Sequence, residues 1–302
     1  MTPPAILHRP GEQALRHSQM ARYRDWLQGA FETQVADYQA LHAWSVADIE
    51  RFWQSIWDYT GVLSAGAPGP VLESHALPGA RWFPEARLNF AENLLRHALQ
   101  GDAEQPALHA RSETRPDFTL SHGELLAQVA ALAAWMRETG IGPGDRVAAV
   151  VANIPEAIIG MLAAASIGAV WSSASPDFGT AGILDRFGQI EPRLLICVNG
   201  YGYGGKVFDR TAQALELQRS IPSVEQLLMI RNVPDIALPE AVTDWQSALD
   251  QHAGAEPQFA ALPFDHPLYI LYSSGTTGVP KCIMHGAGGT LLQHSKELML
   301  HS

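Results

Sequence analysis

Cysteine, cationic charge and long apolar runs are all scarce in this sequence. Its 302 residues contain only two cysteines, Cys197 and Cys282, far apart and without paired-ligand spacing. Neither a disulfide framework nor a cysteine zinc site is expected, and a reducing compartment such as the cytoplasm is the default. Lys and Arg number 20 against 31 Asp and Glu, a formal net charge of −11. Sequence-independent affinity for polyanions comes from clustered cations that displace counterions, so nucleic acid is not an expected partner. The longest apolar run, residues 157–171, is rich in Ala and interrupted by Gly160 and Gly168. A membrane span needs about 20 predominantly apolar residues, so no span is expected, and the run reads as a buried helix leading into a buried strand. Residues 1–11 are proline-rich and lack the apolar core of a signal peptide, so secretion is not expected.

What is present, 47% hydrophobic and 17% charged residues, suits a soluble globular protein of roughly two domains. Residues 1–100 differ in texture from the rest. They hold most of the tryptophans (Trp26, Trp44, Trp53, Trp57, Trp82) and show helical rather than strand periodicity. Ser45 is placed to cap a helix in which Val46, Ile49, Trp53, Ile56 and Trp57 recur at three- and four-residue steps, with Gly61 as its stop. Residues 66–84, with repeated Pro and Gly, read as an irregular strap, and residues 87–99 return to a helical pattern through Leu88, Leu94, Leu95 and Ala98. The tryptophan stripe is assigned to core, because large aromatics chiefly supply buried area.

From about residue 106 short apolar runs alternate with amphipathic helices. Ser121 and Glu124 make a capping box, Gly140 ends the helix that follows, and the turn at 142–145 feeds a strand at 147–151. The pattern repeats: a helix opened by Asn153 and Pro155, a strand near 169–171, a helix at 179–190, a strand at 194–198, a helix from about Val207, a strand at 226–230, a short helix near Trp245 and a strand at 268–272. The expected fold class is α/β: a helical region over residues 1–100, then a mostly parallel sheet flanked by helices over residues 101–302. Residues 289–302 place Leu291, Leu292, Leu298 and Met299 on roughly one helical face without a stop signal. The sequence is therefore expected to end inside an element, as a fragment would.

Two glycine-rich segments follow strands. The first, Gly200 to Lys206, meets the G-x-x-x-x-G-K part of the nucleotide P-loop, but Val207 stands where that loop needs Ser or Thr for magnesium. Tyr201 and Tyr203 are also hard to fit among amides that wrap a phosphate. A kinase or ATPase reading is therefore disfavoured against a surface turn, which still leaves room for an anionic ligand. The second segment is Ser273-Ser-Gly-Thr-Thr-Gly-Val-Pro-Lys281, after the strand at 268–272. Its hydroxyls are donors for phosphate oxygens, Gly275 and Gly278 let the backbone turn its amides toward an anion, Pro280 stiffens the exit and Lys281 neutralises charge. The buried strand before it and the apolar Ile283-Met284 after it argue against a flexible linker.

Residues 272–281, Tyr-Ser-Ser-Gly-Thr-Thr-Gly-Val-Pro-Lys, closely resemble the phosphate-binding signature of the adenylate-forming acyl-CoA synthetases. Residues 82–93, 175–179, 184–192 and 282–289 extend the resemblance over nearly the whole chain and point to the acetoacetate-activating branch, with Cys282 where many relatives carry Gly. The resemblance implies an N-terminal region of the acetyl-CoA synthetase type, followed by an incomplete large domain of an adenylate-forming enzyme. It implies ATP, acetoacetate and coenzyme A as small-molecule substrates, joined through an acyl-adenylate with release of AMP and pyrophosphate. It also implies that Ser273, Ser274, Gly275, Thr276, Thr277, Gly278 and Lys281 hold the β- and γ-phosphates, with Lys281 and Thr276 catalytic. His285 matches the family's histidine after the loop, or is a packed core histidine. Tyr203, Gly204, Gly205 and Lys206 align with a segment that meets CoA in acetyl-CoA synthetases, although Tyr and Lys replace arginines. The groups that hold adenine, ribose and Mg2+, and a C-terminal domain with its lysine, are expected beyond residue 302. Alternatives left open are a ligase for acetate or propionate and a non-catalytic nucleotide- or CoA-binding fragment.

Overall fold

The computed structural model describes residues 11–273 and 278–301. The chain divides by its contacts into two units, Met1–Ala86 with Gly288–Ser302, and Arg87–Ala287.

Helices Gln19–Ala30, Tyr38–Ala47 and Ile49–Thr60 dominate the described part of the first unit. The last of these starts later than the sequence pattern suggests. Ser45 does not cap it; its hydroxyl donates back to the His42 carbonyl at 2.8 Å inside the preceding helix. Asp48 interrupts the two helices and its carboxylate accepts from the Arg51 N–H at 3.1 Å, a stronger cap because a carboxylate also suits the positive helix end. Val46 therefore lies outside the stripe and is exposed, whereas Ile56, Trp57 and Thr60 are buried, and Gly61 ends the helix at φ 62° as expected. The aromatic residues here are packing groups: Trp57 stacks on Phe83 at 4.8 Å, and Tyr59 lies 5.0 Å from Tyr23 and 5.1 Å from Trp26. Tyr23 is fully buried and its hydroxyl meets Ser55 Oγ at 2.5 Å. The strap is not wholly irregular, since Leu72–Ser74 pairs antiparallel with Arg81–Trp82. In the helix Ala287–His301, Leu291 and Leu292 are buried but Leu298 is exposed, and Leu300 is buried instead.

The second unit opens with a short strand, Arg87–Leu88, paired with Leu262–Pro263, so the helix read from residue 87 begins only at Phe90. Asn89 sets that boundary. Its Oδ1 accepts from the Ala91 and Glu92 amides, while its Nδ2 donates to the carbonyls of Ala165, Ser166 and Ala260, which satisfies a buried amide completely.

The body of this unit is a seven-stranded sheet in the order Thr243–Asp244, Gln226–Ile230, Leu194–Val198, Arg146–Val150, Val170–Ala174, Pro267–Ser273 and Lys281–Gly286. All neighbours are parallel except the last pair. Alternate side chains go to opposite faces. Ala148, Val150, Leu195, Cys197, Leu227 and Met229 meet Ile183 and Phe187 of the helix Thr180–Phe187 and Ala214 and Leu217 of the helix Thr211–Ser220. On the other face lies the helix Pro155–Ile167, where Gly160 permits close approach. A Cβ there would stand 3.0 Å from the Trp171 ring and 3.7 Å from Ile196. The helix His122–Glu138 packs beside it and carries the expected capping box between Ser121 and Glu124. The helix Pro155–Ile167 begins at Pro155 as read, but its cap position is Ile154, with no side-chain cap from Asn153.

The α/β expectation, a helical first region followed by a mostly parallel sheet between helices, is borne out. Among the described residues no helix is long and apolar enough to cross a membrane.

Candidate functional site

Parallel strands present the carboxyl ends of their backbones along one sheet edge, and ligands of open α/β sheets gather outside that edge. The register places Val150, Ala174, Val198, Ile230 and the end of Pro267–Ser273 there. Among the segments that leave from it are residues 175–179, the glycine-rich stretch after Val198 and the Ser/Thr/Gly loop after Ser273. The topology thus gathers both sequence-predicted loops at one edge.

Ser273 ends its strand, and Lys281 begins the next one directly opposite, with Tyr272 facing Cys282, Leu271 facing Ile283 and Tyr269 facing His285. The loop therefore closes a hairpin at the edge of the sheet. The sequence pattern does not assign the strand Lys281–Gly286, because its apolar residues do not alternate with burial: Ile283 and Met284 are both exposed. Ser274, Gly275, Thr276 and Thr277 lie outside the described residues. Gly278 adopts φ 108°, a conformation that side-chain-bearing residues rarely take. Lys281 is exposed, and among the described residues no carboxylate lies within ion-pairing distance of it. The His285 ring is half-buried, 5.3 Å from the Tyr269 ring.

Behind the incoming strand, the Ser172 hydroxyl donates to the Ile270 carbonyl at 2.9 Å and lies 3.2 Å from the Tyr272 phenol oxygen. Burial pushes the Tyr272 phenol up to about 12, only partly offset by the Ser172 hydrogen bond. The Arg186 guanidinium stacks 4.8 Å over Phe178 and 5.9 Å from the Tyr272 ring. The contacts that join Ser172, Arg186 and Tyr272 carry no local sequence signal, because they arise only when the sheet forms.

The first glycine-rich segment is neither a P-loop nor an entry into a helix at Val207. Gly200–Tyr203 and Lys206–Asp209 form an antiparallel hairpin, and the helix starts at Thr211. Gly204 and Gly205 occupy its two turn positions at φ 59° and 72°, the signature of a tight hairpin turn. Tyr201 stacks on Phe208 at 5.1 Å, so the alternating aromatics that oppose a phosphate-wrapping loop suit a hairpin well. Tyr203 and Lys206 are exposed at its tip. At its base, Arg210 donates to the Pro176 carbonyl at 2.8 Å and the Tyr201 hydroxyl at 3.1 Å, and Asn199 holds the Val233 and Ile236 carbonyls at 2.8 Å. The tip is thus presented by a braced stem.

Residues 95–298 match the family of AMP-binding enzymes, and residues 38–94 match the acetyl-coenzyme A synthetase N-terminus. The chain belongs to the AMP-binding enzyme family, which bears out the resemblance to adenylate-forming synthetases read from residues 272–281. It is 45% identical over 295 residues to the acetoacetyl-coenzyme A synthetase of Rhizobium meliloti (strain 1021), covering 97% of this chain and 45% of that protein. The malonamoyl-CoA synthetase vrtB of Penicillium aethiopicum is 39% identical over 312 residues, covering 97% of this chain and 43% of that protein. The solved acetoacetyl-CoA synthetase from Streptomyces lividans superposes with a TM-score of 0.93 at 40% identity, covering 99% of this chain and 46% of that one. The chain spans a little under half the length of these relatives.

Proposed function

We propose that this chain is part of an ATP-dependent acid–thiol ligase that joins acetoacetate to coenzyme A. A carboxylate oxygen attacks the α-phosphorus of ATP, the bond to the β-phosphate breaks and pyrophosphate leaves; the CoA sulfur then attacks the acyl carbon, loses its proton and displaces AMP. The adenylate is itself the activated donor, so no protein nucleophile is needed, and the protein contributes positioning and charge. The observation that carries this reading is the hairpin loop at the carboxyl edge of the sheet, closed by Ser273 opposite Lys281.

In this reading Ser273, Ser274, Gly275, Thr276, Thr277 and Gly278 hold the β- and γ-phosphates, and Lys281 stabilises the charge on the departing pyrophosphate. Tyr203, Gly204, Gly205 and Lys206 at the hairpin tip meet an anionic part of CoA, and His285 lines the site beside Tyr269. The helical region of residues 1–100 and the ligase region of residues 101–302 are the two functional parts. Among the described residues no group of three or more His, Cys, Asp and Glu could hold a metal ion. Acetoacetyl and malonamoyl groups, named in the relatives, share a carbonyl β to the acyl carbon. That makes a short carboxylate with a β-carbonyl the substrate class, and the cytoplasm, where ATP and CoA are available, the place of action.

The test is carboxylate-dependent exchange of labelled pyrophosphate into ATP by the full-length protein. Exchange with acetoacetate well above that with acetate or propionate is expected. Equal or greater exchange with acetate overturns the acyl assignment, and no exchange with any of these acids overturns the reaction class.

A further inference from the structure

Gln189 lies just beyond the helix Thr180–Phe187, in a stretch to which the reaction above gives no role. Its Nε2 donates to the Pro280 carbonyl at 2.9 Å and to the Asp185 carbonyl at 2.5 Å, while its Oε1 accepts from Cys282 Sγ at 3.7 Å. Pro280 and Cys282 are the two residues that flank Lys281. One side-chain amide therefore grips the backbone immediately before the lysine and the side chain immediately after it.

The grip is anchored at its other end. Asp185 carries one of the helix's terminal carbonyls, which have no partner within the helix, so the amide ties a helix end to the loop exit. The turn that carries Gln189 is closed by the Gly188 amide donating to the Leu184 carbonyl at 2.9 Å and the Gln189 amide to the Arg186 carbonyl at 3.1 Å. The same turn meets the incoming strand, since Arg186 lies over Tyr272 and the Phe187 ring is 6.4 Å from it. Tyr272 is the ladder partner of Cys282, so residues 186–189 touch both stems of the hairpin.

We propose that Gln189 is a positioning residue for Lys281. The inference rests on the phosphate-side role given to Lys281 above. Lys281 begins an outer strand whose far side has no partner among the sheet's strands, and Gln189 restrains it from the sheet face that the helix Thr180–Phe187 covers. Gln189 is exposed, so its hydrogen bonds add little to global stability. Their effect falls on where the lysine backbone stands, and misplacing a catalytic charge is costly even when the fold is intact.

The test compares Gln189→Ala and Gln189→Glu with wild type in the full-length protein. Glu keeps the length of the side chain but turns the donor into an acceptor facing two carbonyls. Both variants should slow acetoacetate-dependent ATP–pyrophosphate exchange about tenfold in kcat, with KM for acetoacetate and the melting temperature nearly unchanged. Without any substrate, hydrogen–deuterium exchange of a peptide covering residues 281–286 should accelerate in both variants, with no change in residues 146–150. Unaltered hydrogen exchange at 281–286 overturns the proposal whatever the rate, as does a kcat within twofold of an active wild type. If wild type itself lacks acetoacetate-dependent exchange, the functional reading fails and with it the catalytic consequence; the substrate-free measurement then decides whether Gln189 anchors the strand.

Discussion

Lys281 stands across the sheet from Ser273, so the first rung of the edge hairpin holds a cation opposite the hydroxyl residue that enters the loop. Both ends of the loop are thereby tied to backbone hydrogen bonds of a sheet whose neighbouring strands are buried. The backbone that carries the charge is thereby held in register, and positioned charge is what stabilising a departing anion requires. Lys281→Ala in the full-length protein should slow acetoacetate-dependent ATP–pyrophosphate exchange far more than it weakens acetoacetate binding. Removing one electrostatic donor of this kind costs about 2.7 to 4 kcal/mol, roughly 100- to 1,000-fold. Exchange within threefold of wild type would refute the role.

For Lys206 the expected pattern is the opposite. It sits at the tip of a separate hairpin, exposed, with no ion-pair partner among the described residues. Its charge can serve an anion of CoA without touching the adenylation step. Lys206→Ala should leave pyrophosphate exchange intact while raising the apparent KM for CoA in the thioester step by several-fold, the worth of one exposed charge contact. An unchanged dependence on CoA concentration ends that assignment.

Much of this arrangement is legible in the sequence because it is local. The Ser121–Glu124 box, the stop at Gly61, the buried run 194–198 and the dense donors of residues 273–281 each announce themselves within a few positions. The failures have a common cause, which is competition between local options that the surroundings decide. Ser45 and Asp48 are both capping residues, and the carboxylate wins. Gly200 to Lys206 scans as a phosphate loop until the aromatics at 201, 203 and 208 are seen as alternating cross-strand residues around a Gly-Gly turn. Arg87 and Leu88 continue a helical pattern, yet Leu262 and Pro263, far along the chain, recruit them into a strand. Gln189 falls inside the resemblance at 184–192, but its contacts with Pro280 and Cys282 are not legible there, since those partners lie 91 and 93 positions away.

Alkaline pH should weaken the second unit through Tyr272. Burial pushes its phenol from 10 up to about 12, so folding favours the protonated form. The native state then holds a proton that the unfolded state has lost. The stabilisation is complete below pH 10 and disappears as pH rises toward about 12. Urea unfolding followed across that range should show stability falling with pH, and Tyr272→Phe should flatten the fall. Tyr23, raised to about 12 mainly by its burial, adds a second proton of the same sign in the first unit. A slope identical in wild type and Tyr272→Phe would mean that the phenol titrates as if exposed.

A polypeptide limited to residues 1–302 should not form acetoacetyl-CoA. In-line attack on the α-phosphorus needs base, ribose, metal and carboxylate held together at near-attack distance, and a loop proposed to hold only the distal phosphates gives none of that alignment. The same polypeptide carries Leu271, Ile283 and Met284 exposed on the edge hairpin. An outer strand with one open edge and apolar side chains is a template for association, so the sample should also self-associate at high concentration. Incubating it with ATP, magnesium, acetoacetate and CoA, and measuring acetoacetyl-CoA against a control without protein, checks the first expectation. Light scattering across a dilution series checks the second. Turnover above the control would place the complete adenylation machinery within these residues and overturn the division of labour argued above.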